Sequence, residues 1–315
     1  MPGIKPGMTK EWLAPAGRAE LKDFELPFDI YLNVAVGGIL TGLVYGLMAL
    51  GLSVIFGVVR VVNFAHGEMM TMAMYIAITL FSAFHLDPLV MLIPIAAVLG
   101  VFGYALQAGL INPFITRPEH SQFLLLVAVA IIMVNVLLIL FGPDAQNAPV
   151  SYAYDSYQIG PLIVDATKAY AALGALVVAT ALFVFFRYTT IGTAIRACAD
   201  NYTGALVVGL DVKHLYALTF ALGSACVGAA GVMLVLIVDV TPALGPAYTL
   251  LAFVIVITGG LGSMPGALLG GVMIGLTEAM AGLLFTPSAK SMFAFAILVL
   301  VLLFRPQGIL GKRTA

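Results

Sequence analysis

Between two long apolar stretches the chain reads Arg60-Val61-Val62-Asn63-Phe64-Ala65-His66-Gly67-Glu68, setting a guanidinium, an amide, an imidazole and a carboxylate close together. Hydrocarbon cannot host such groups unless they pair, face water or lie inside protein, so their place at the margin of an apolar segment points to a solute pathway. Asn63, His66 and Glu68 are the candidates for lining or supporting it. A structural reading stands beside that one. Asn63 can cap the helix that follows, and Glu68 suits that helix's positive N-terminal end. No metal is expected, because His66-Gly67-Glu68 lacks the His-Glu-x-x-His arrangement and several further ligands would be needed. Of Met69, Met70, Met72 and Met74, only Met70 and Met74 share a helix face, which suits packing better than a soft metal.

A second carboxylate, Glu278, lies in a run where Ala267, Gly271, Gly275, Glu278 and Gly282 fall on one helical face. Helices in lipid associate where small residues let backbones approach, so Glu278 points into protein, as a packing carboxylate or as part of the pathway. Gly42 and Gly46, with Gly38, Ala49 and Ser53, mark a similar face on an earlier segment. The run through Gly259, Gly260, Gly262, Gly266, Gly270 and Gly271, with Pro265 suited to a first helical turn, reads as a packing hinge. It lacks the Gly-Lys-Ser/Thr ending of a phosphate-binding loop, so no ATP site is expected in this chain. Neither a Gly-x-Ser-x-Gly elbow nor paired acids are present, and no catalytic residue is expected.

The segment from Thr189 to Asp211 is amphipathic. Ile191, Ala194, Ile195 and Cys198 form an apolar stripe, while Arg196, Asp200 and Asn201 supply a polar face. Thr190 is expected to cap its start and Gly209 to end a second short helix. Such a pair can lie across a membrane surface or dock into a groove on a cytosolic partner.

The elements that must position these groups follow from composition. The chain is 62% hydrophobic and 9% charged, and its mean hydropathy is +1.10, which no water-facing surface of ordinary polarity allows. An all-α, polytopic integral membrane protein is expected. Apolar windows fall near 34–58, 68–84, 89–111, 121–141, 168–186, 214–238, 247–258, 266–285 and 290–304, giving eight or nine transmembrane helices. The window at 247–258 is short, so a broken or re-entrant element is expected near 247–265. Arg60, Arg117, Arg187, Arg196, Lys213, Arg305, Lys312 and Arg313 fall on one side, which positively charged loops assign to the cytoplasm. Residues 1–30 read as a polar N-terminal tail with no cleavable signal, and 31–311 as the transmembrane domain. Cys198 and Cys226 are not expected to pair. A net charge of -1 offers no field for nucleic acid.

Four stretches together resemble the permease subunits of the branched-chain amino acid ABC importers. They are Gly46-Leu47-Met48-Ala49-Leu50-Gly51-Leu52 leading through Phe56-Gly57 to Val62-Asn63-Phe64-Ala65-His66-Gly67-Glu68; Gly192 to Ala199; Gly259 to Gly271 continuing to Glu278-Ala279; and Arg305-Pro306-Gln307-Gly308-Ile309-Leu310-Gly311. The resemblance implies an inner-membrane importer with a second permease subunit, a heterodimer being expected. It further implies two cytosolic ATPases that bind the ATP, and a periplasmic solute-binding protein. No cofactor of this chain's own is implied. It also implies that the 187–213 loop couples to the ATPases, through Ile191, Gly192, Ala194, Ile195, Arg196, Ala199, Asp200 and Gly209. Relatives of this kind carry leucine-type amino acids, urea, short amides or small aromatic and carboxylic acids. Tyr152, Tyr154 and Tyr157 are candidates to touch the binding protein. A stand-alone channel or secondary transporter for a small solute is the alternative.

Overall fold

The computed structural model describes residues 27–311 apart from residues 116 and 287, so the tail up to residue 26, Lys312 and Arg313 lie outside the described residues. Every apolar window falls on a helix. Among the described residues, seven helices are long and apolar enough to cross a membrane. They are α1 (Phe28–Val59), α2 (His66–Phe84), α3 (Leu92–Ala105), α4 (Glu119–Phe141), α5 (Ala166–Tyr188), α8 (Val212–Leu234) and α10 (Met264–Leu284). The helix of α3 runs on through a π turn at Leu106–Ile111 and a 3-10 turn at Asn112–Phe114. Two shorter apolar helices, α9 (Leu244–Gly259) and α11 (Ala289–Phe304), have 16 residues each, which spans about 24 Å. Between α5 and α8 lie α6 (Thr190–Asp200) and α7 (Tyr202–Val207). A small antiparallel hairpin, β1 (Ser156–Ile159) with β2 (Leu162–Asp165), folds over the connection between α4 and α5.

The long helix α1 is the axis of the bundle, packing against α10, α8, α5 and α9. Its partner α10 comes so close that the backbones touch. A Cβ on Gly271 would stand 2.6 Å from the Gly42 carbonyl, and one on Gly42 would stand 2.7 Å from the Gly271 carbonyl. Gly275 sits against Gly38 and Gly42, and Gly46 against the Leu268 backbone. The α9–α10 turn is closer still, since Gly259 and Gly266 lie backbone to backbone and a Cβ on Gly270 would meet the Ile255 carbonyl at 2.6 Å. Gly260 (φ 112°) and Gly262 (φ 77°) make that turn in conformations a side chain resists, and the Ser263 hydroxyl then accepts from the Gly266 N–H at 3.2 Å to start α10.

The two ends of the bundle differ. Arg60, Arg187, Arg196 and the C-terminal segment gather at one, where the Ile309 and Leu310 N–H groups donate to the Thr258 and Gly259 carbonyls. The start of α1 is at the other, beside the hairpin. There Asn33 accepts from the Ile163 N–H at 2.7 Å and donates to the Pro161 carbonyl. Tyr152 belongs to this end too, and donates to Asp87 at 3.0 Å instead of standing free, whereas Tyr154 is 99% exposed.

Gly271→Val forces two backbones apart, and such overpacking costs about 1–3 kcal/mol. Its folded yield in size-exclusion chromatography is expected to fall several-fold. Gly109→Ala, where nothing lies within 4 Å, is the control and is expected to run as wild type. Equal yields for the two variants would show that α1 and α10 are not in backbone contact.

Candidate functional site

After α1 ends at Val59 the chain turns through Arg60, whose φ of 57° is left-handed, and doubles back into the bundle. The His66 ring then lies against the middle of α1, with Nε2 2.9 Å from the Met48 carbonyl. Met48 is eleven residues before the end of α1, so α2 begins about 17 Å inside the bundle from that end. A carbonyl only accepts, so Nε2 carries the proton and the buried Nδ1 keeps a lone pair with no partner.

A helix that starts at such depth exposes N–H groups that nothing in hydrocarbon can satisfy. Asn63 was expected to cap them and does not. Its oxygen turns to the Ala65 N–H at 3.1 Å, before the helix, while its amide nitrogen lies 3.6 Å from the Met69 sulfur. The first-turn donor is satisfied from another helix instead: the Gly67 N–H donates to Thr249 Oγ1 at 2.8 Å, and that hydroxyl donates to Glu68 Oε2 at 3.0 Å. Glu68 is 3% exposed and stands at the positive end of its own helix, which favours a carboxylate there. The contact requires glycine on both sides. A Cβ on Gly67 would collide with the Gly245 carbonyl, and one on Gly245 would stand 2.9 Å from Glu68 Cγ.

Thr249 faces α2, and its neighbour Tyr248 faces the other way. The Tyr248 ring packs edge-on against Tyr45 of α1 at a centroid distance of 6.1 Å, and Glu278 lies near this pair. Lys290 of α11 also lies in the neighbourhood of Glu278, its side chain crossing Gly282. Glu278 is half-buried rather than enclosed. Asn63, His66 and Glu68 therefore form one polar layer inside the bundle with Thr249, and the next residue of α9, Tyr248, links it to Tyr45 and Glu278, which lies beside α1 further towards the hairpin end. Thr249, Tyr248 and Tyr45 make that connection, and the sequence reading missed them. A lone threonine in an apolar helix carries no signal, although two tyrosines in apolar spans do.

The amphipathic segment differs from expectation in two ways. Thr189, not Thr190, caps α6, its hydroxyl accepting from the Gly192 N–H at 3.0 Å. The apolar stripe is not free either: Gly192, Ile195 and Cys198 are buried where α6 seats on α5, α8 and α1. The outward face consists of Ile191, Thr193, Arg196, Ala197 and Asp200, with Ala194 and Ala199 half-buried. Beyond it α7 ends at Val207, and the turn that follows through Gly209 (φ 83°) leaves an apolar tip, Leu206, Val207 and Val208, which are 48%, 82% and 74% exposed. That tip was also missed, because three adjacent apolar residues have no helical period.

A family model described as branched-chain amino acid transport system / permease component matches residues 34–302. The chain is 31% identical over 295 residues to the high-affinity branched-chain amino acid transport system permease protein BraD of Pseudomonas aeruginosa, covering 90% of this chain and 96% of that one. It is 29% identical to the corresponding LivH protein of Escherichia coli K12, covering 90% and 97%. A probable LivH of Methanocaldococcus jannaschii is 28% identical, covering 84% and 88%. No solved structure matches.

Thr249→Val keeps the shape but leaves the Gly67 N–H and Glu68 without their partner, at a cost of about 1–3 kcal/mol. The melting temperature of the purified protein is expected to fall for Thr249→Val and to recover in Thr249→Ser; equal melting would show that the hydroxyl bridge is dispensable. In α6, burial pushes the Cys198 thiol up. Less thiolate is then present at pH 7–8, so maleimide labelling of Cys198 in the folded protein is expected at least ~10-fold slower than in denaturant. Equal rates would mean that α6 is not seated.

Proposed function

The chain belongs to the branched-chain amino acid transport system permease family, and on that premise we propose how its geometry serves import. It is a membrane permease subunit of an ATP-binding cassette importer and a multi-pass protein of the bacterial inner membrane, and it is not itself an enzyme. The observation that carries the reading is the family match, which runs unbroken from α1 into α11.

The transported solute is a branched-chain amino acid, the class for which the relatives are named. A periplasmic binding protein delivers it, a second permease subunit completes the membrane unit as a heterodimer, and two cytosolic ATPases drive the cycle. The basic end faces the cytoplasm, by the charge asymmetry of the loops. The permease domain covers 31–311 and crosses the membrane nine times. Nine rather than eight is supported by the start of α1 beside the hairpin and the C-terminal segment at the basic end. The expected broken element is the α9 region: α9 starts beside the deep N-terminus of α2 and ends in the glycine turn at the basic end.

The pathway passes Glu278, the accessible group, and Asn63, His66 and Glu68 of the polar layer support it from behind. Half-buried carboxylates at this depth must face water or protein, not lipid. Coupling to the ATPases uses the outward face of α6, through Ile191, Arg196 and Asp200, together with the apolar tip of α7. Gly192, Ile195, Ala194, Ala199 and Gly209 hold that face in place. An apolar tip ringed by polar groups suits a groove on a partner.

Reconstituted with a second permease subunit, ATPases and binding protein, the chain is expected to take up leucine only with ATP. Val207→Asp is expected to leave assembly intact but to cut leucine-stimulated ATP hydrolysis and uptake together, by ~10-fold or more, as a charge is buried in an apolar groove. Leucine uptake by the chain alone, without ATP, would instead mark a channel or secondary transporter.

A further inference from the structure

A cavity of about 1310 Å³ opens at the basic end, between the last turns of α1 and α5, the outer face of α6, the α9–α10 turn and the C-terminal segment. That exceeds the roughly 300–1,000 Å³ of a typical small-molecule pocket. Three guanidiniums line it, those of Arg60, Arg187 and Arg196, against one carboxylate, Asp200, which leaves two net positive charges. Among the described residues the ion pair is Lys168–Asp165, at the other end of the bundle, and no described carboxylate lies within 4.0 Å of these arginines. Arg60 is held in a left-handed backbone conformation, one that residues other than glycine, asparagine or aspartate seldom adopt, at the point where α1 ends.

The rest of the wall is mostly apolar, with Thr193, Ser263 and Gln307 among its polar members, and runs inward. Val54, Phe183, Phe186 and Met264 line it, and it reaches Ser53, six residues before the end of α1 and so about 9 Å deep. A cleft of that depth with a mostly apolar wall admits an acyl chain. Guanidiniums match phosphate oxygens through paired N–H donors, and basic pockets between helices on the cytoplasmic side are suited to anionic headgroups.

We propose that this cavity binds an anionic phospholipid of the adjoining leaflet, its phosphate among Arg60, Arg187 and Arg196 and one acyl chain along Phe183, Phe186 and Met264. The lipid lies between the outer face of α6, the ends of α1 and α5 and the α9–α10 turn, and fixes how α6 sits on the bundle. The site does not depend on which solute is carried, so its test stands apart from the import reading.

The full-length protein is purified in mild detergent, and its lipids are counted by native mass spectrometry after titration with phosphatidylglycerol or phosphatidylcholine. One tightly held phosphatidylglycerol per chain is expected, preferred over phosphatidylcholine. Arg60→Gln with Arg187→Gln is expected to weaken it about 10- to 30-fold, at roughly 1 kcal/mol per charge near the surface. Arg117→Gln, at the same end but outside the cavity, is expected to leave it unchanged. Should the double variant fail to fold, Arg196→Gln on the outer face of α6 is read in the same titration, with about a 5-fold loss expected. Equal retention of the two lipids, or retention indifferent to the cavity variants, would overturn the proposal. So would displacement of the lipid by millimolar inorganic phosphate, which would make the occupant a free anion. Variants that bind phosphatidylglycerol normally but lose copurifying ATPases would assign the arginines to protein docking and overturn it as well.

Discussion

A helix that begins inside an apolar bundle brings unsatisfied N–H groups to a place without water, and α2 does so beside the start of α9. The rest of the polar layer answers that demand. Thr249 accepts from the Gly67 N–H and donates its own hydroxyl hydrogen bond to Glu68, and His66 holds the turn against Met48. Gly67 and Gly245 are glycine because any side chain would separate the two helix starts. The conspicuous motif around His66 is therefore first a solution to a backbone problem, and its carboxylate serves that solution before it can serve a solute.

Close backbone approach is the second organising constraint. Apolar burial gives helices little reason to associate in lipid, so contact area has to come from van der Waals packing. Gly42, Gly46, Gly271 and Gly275 provide it between α1 and α10 without a side chain in between. Glu278, one turn beyond Gly275, is thereby held near Tyr45, and α11 brings Lys290 into its neighbourhood. The position of the accessible carboxylate is set by residues that have no side chains of their own.

The helices were legible because a run of apolar residues is a local property, and each of the nine windows lies on one. The glycine faces were legible for the same reason, through spacings of three and four. Partners distant in sequence were not: Thr249 serves Gly67 from 182 positions away, and nothing near either residue announces it. The seat of the α6 stripe was not legible, because amphipathicity fixes which face is apolar but not what covers it. Ile195 and Cys198 turn inward because α5, α8 and α1 leave a seat there. The hairpin went unread because its four-residue strands are exposed and lack a buried alternating face.

The length of α1 has a mechanical meaning. Its 32 residues make a rod of about 48 Å, tied at one end to the hairpin through Asn33 and touching α6 near the other. Glycine contacts fix it to α10 along the middle, where a lever has its fulcrum. A load on the hairpin that tilts this rod displaces α6 in the opposite sense, with no intermediate element needed to carry the signal. The stiffness of one uninterrupted helix, free of proline from end to end, sets how faithfully the two faces of the protein move together.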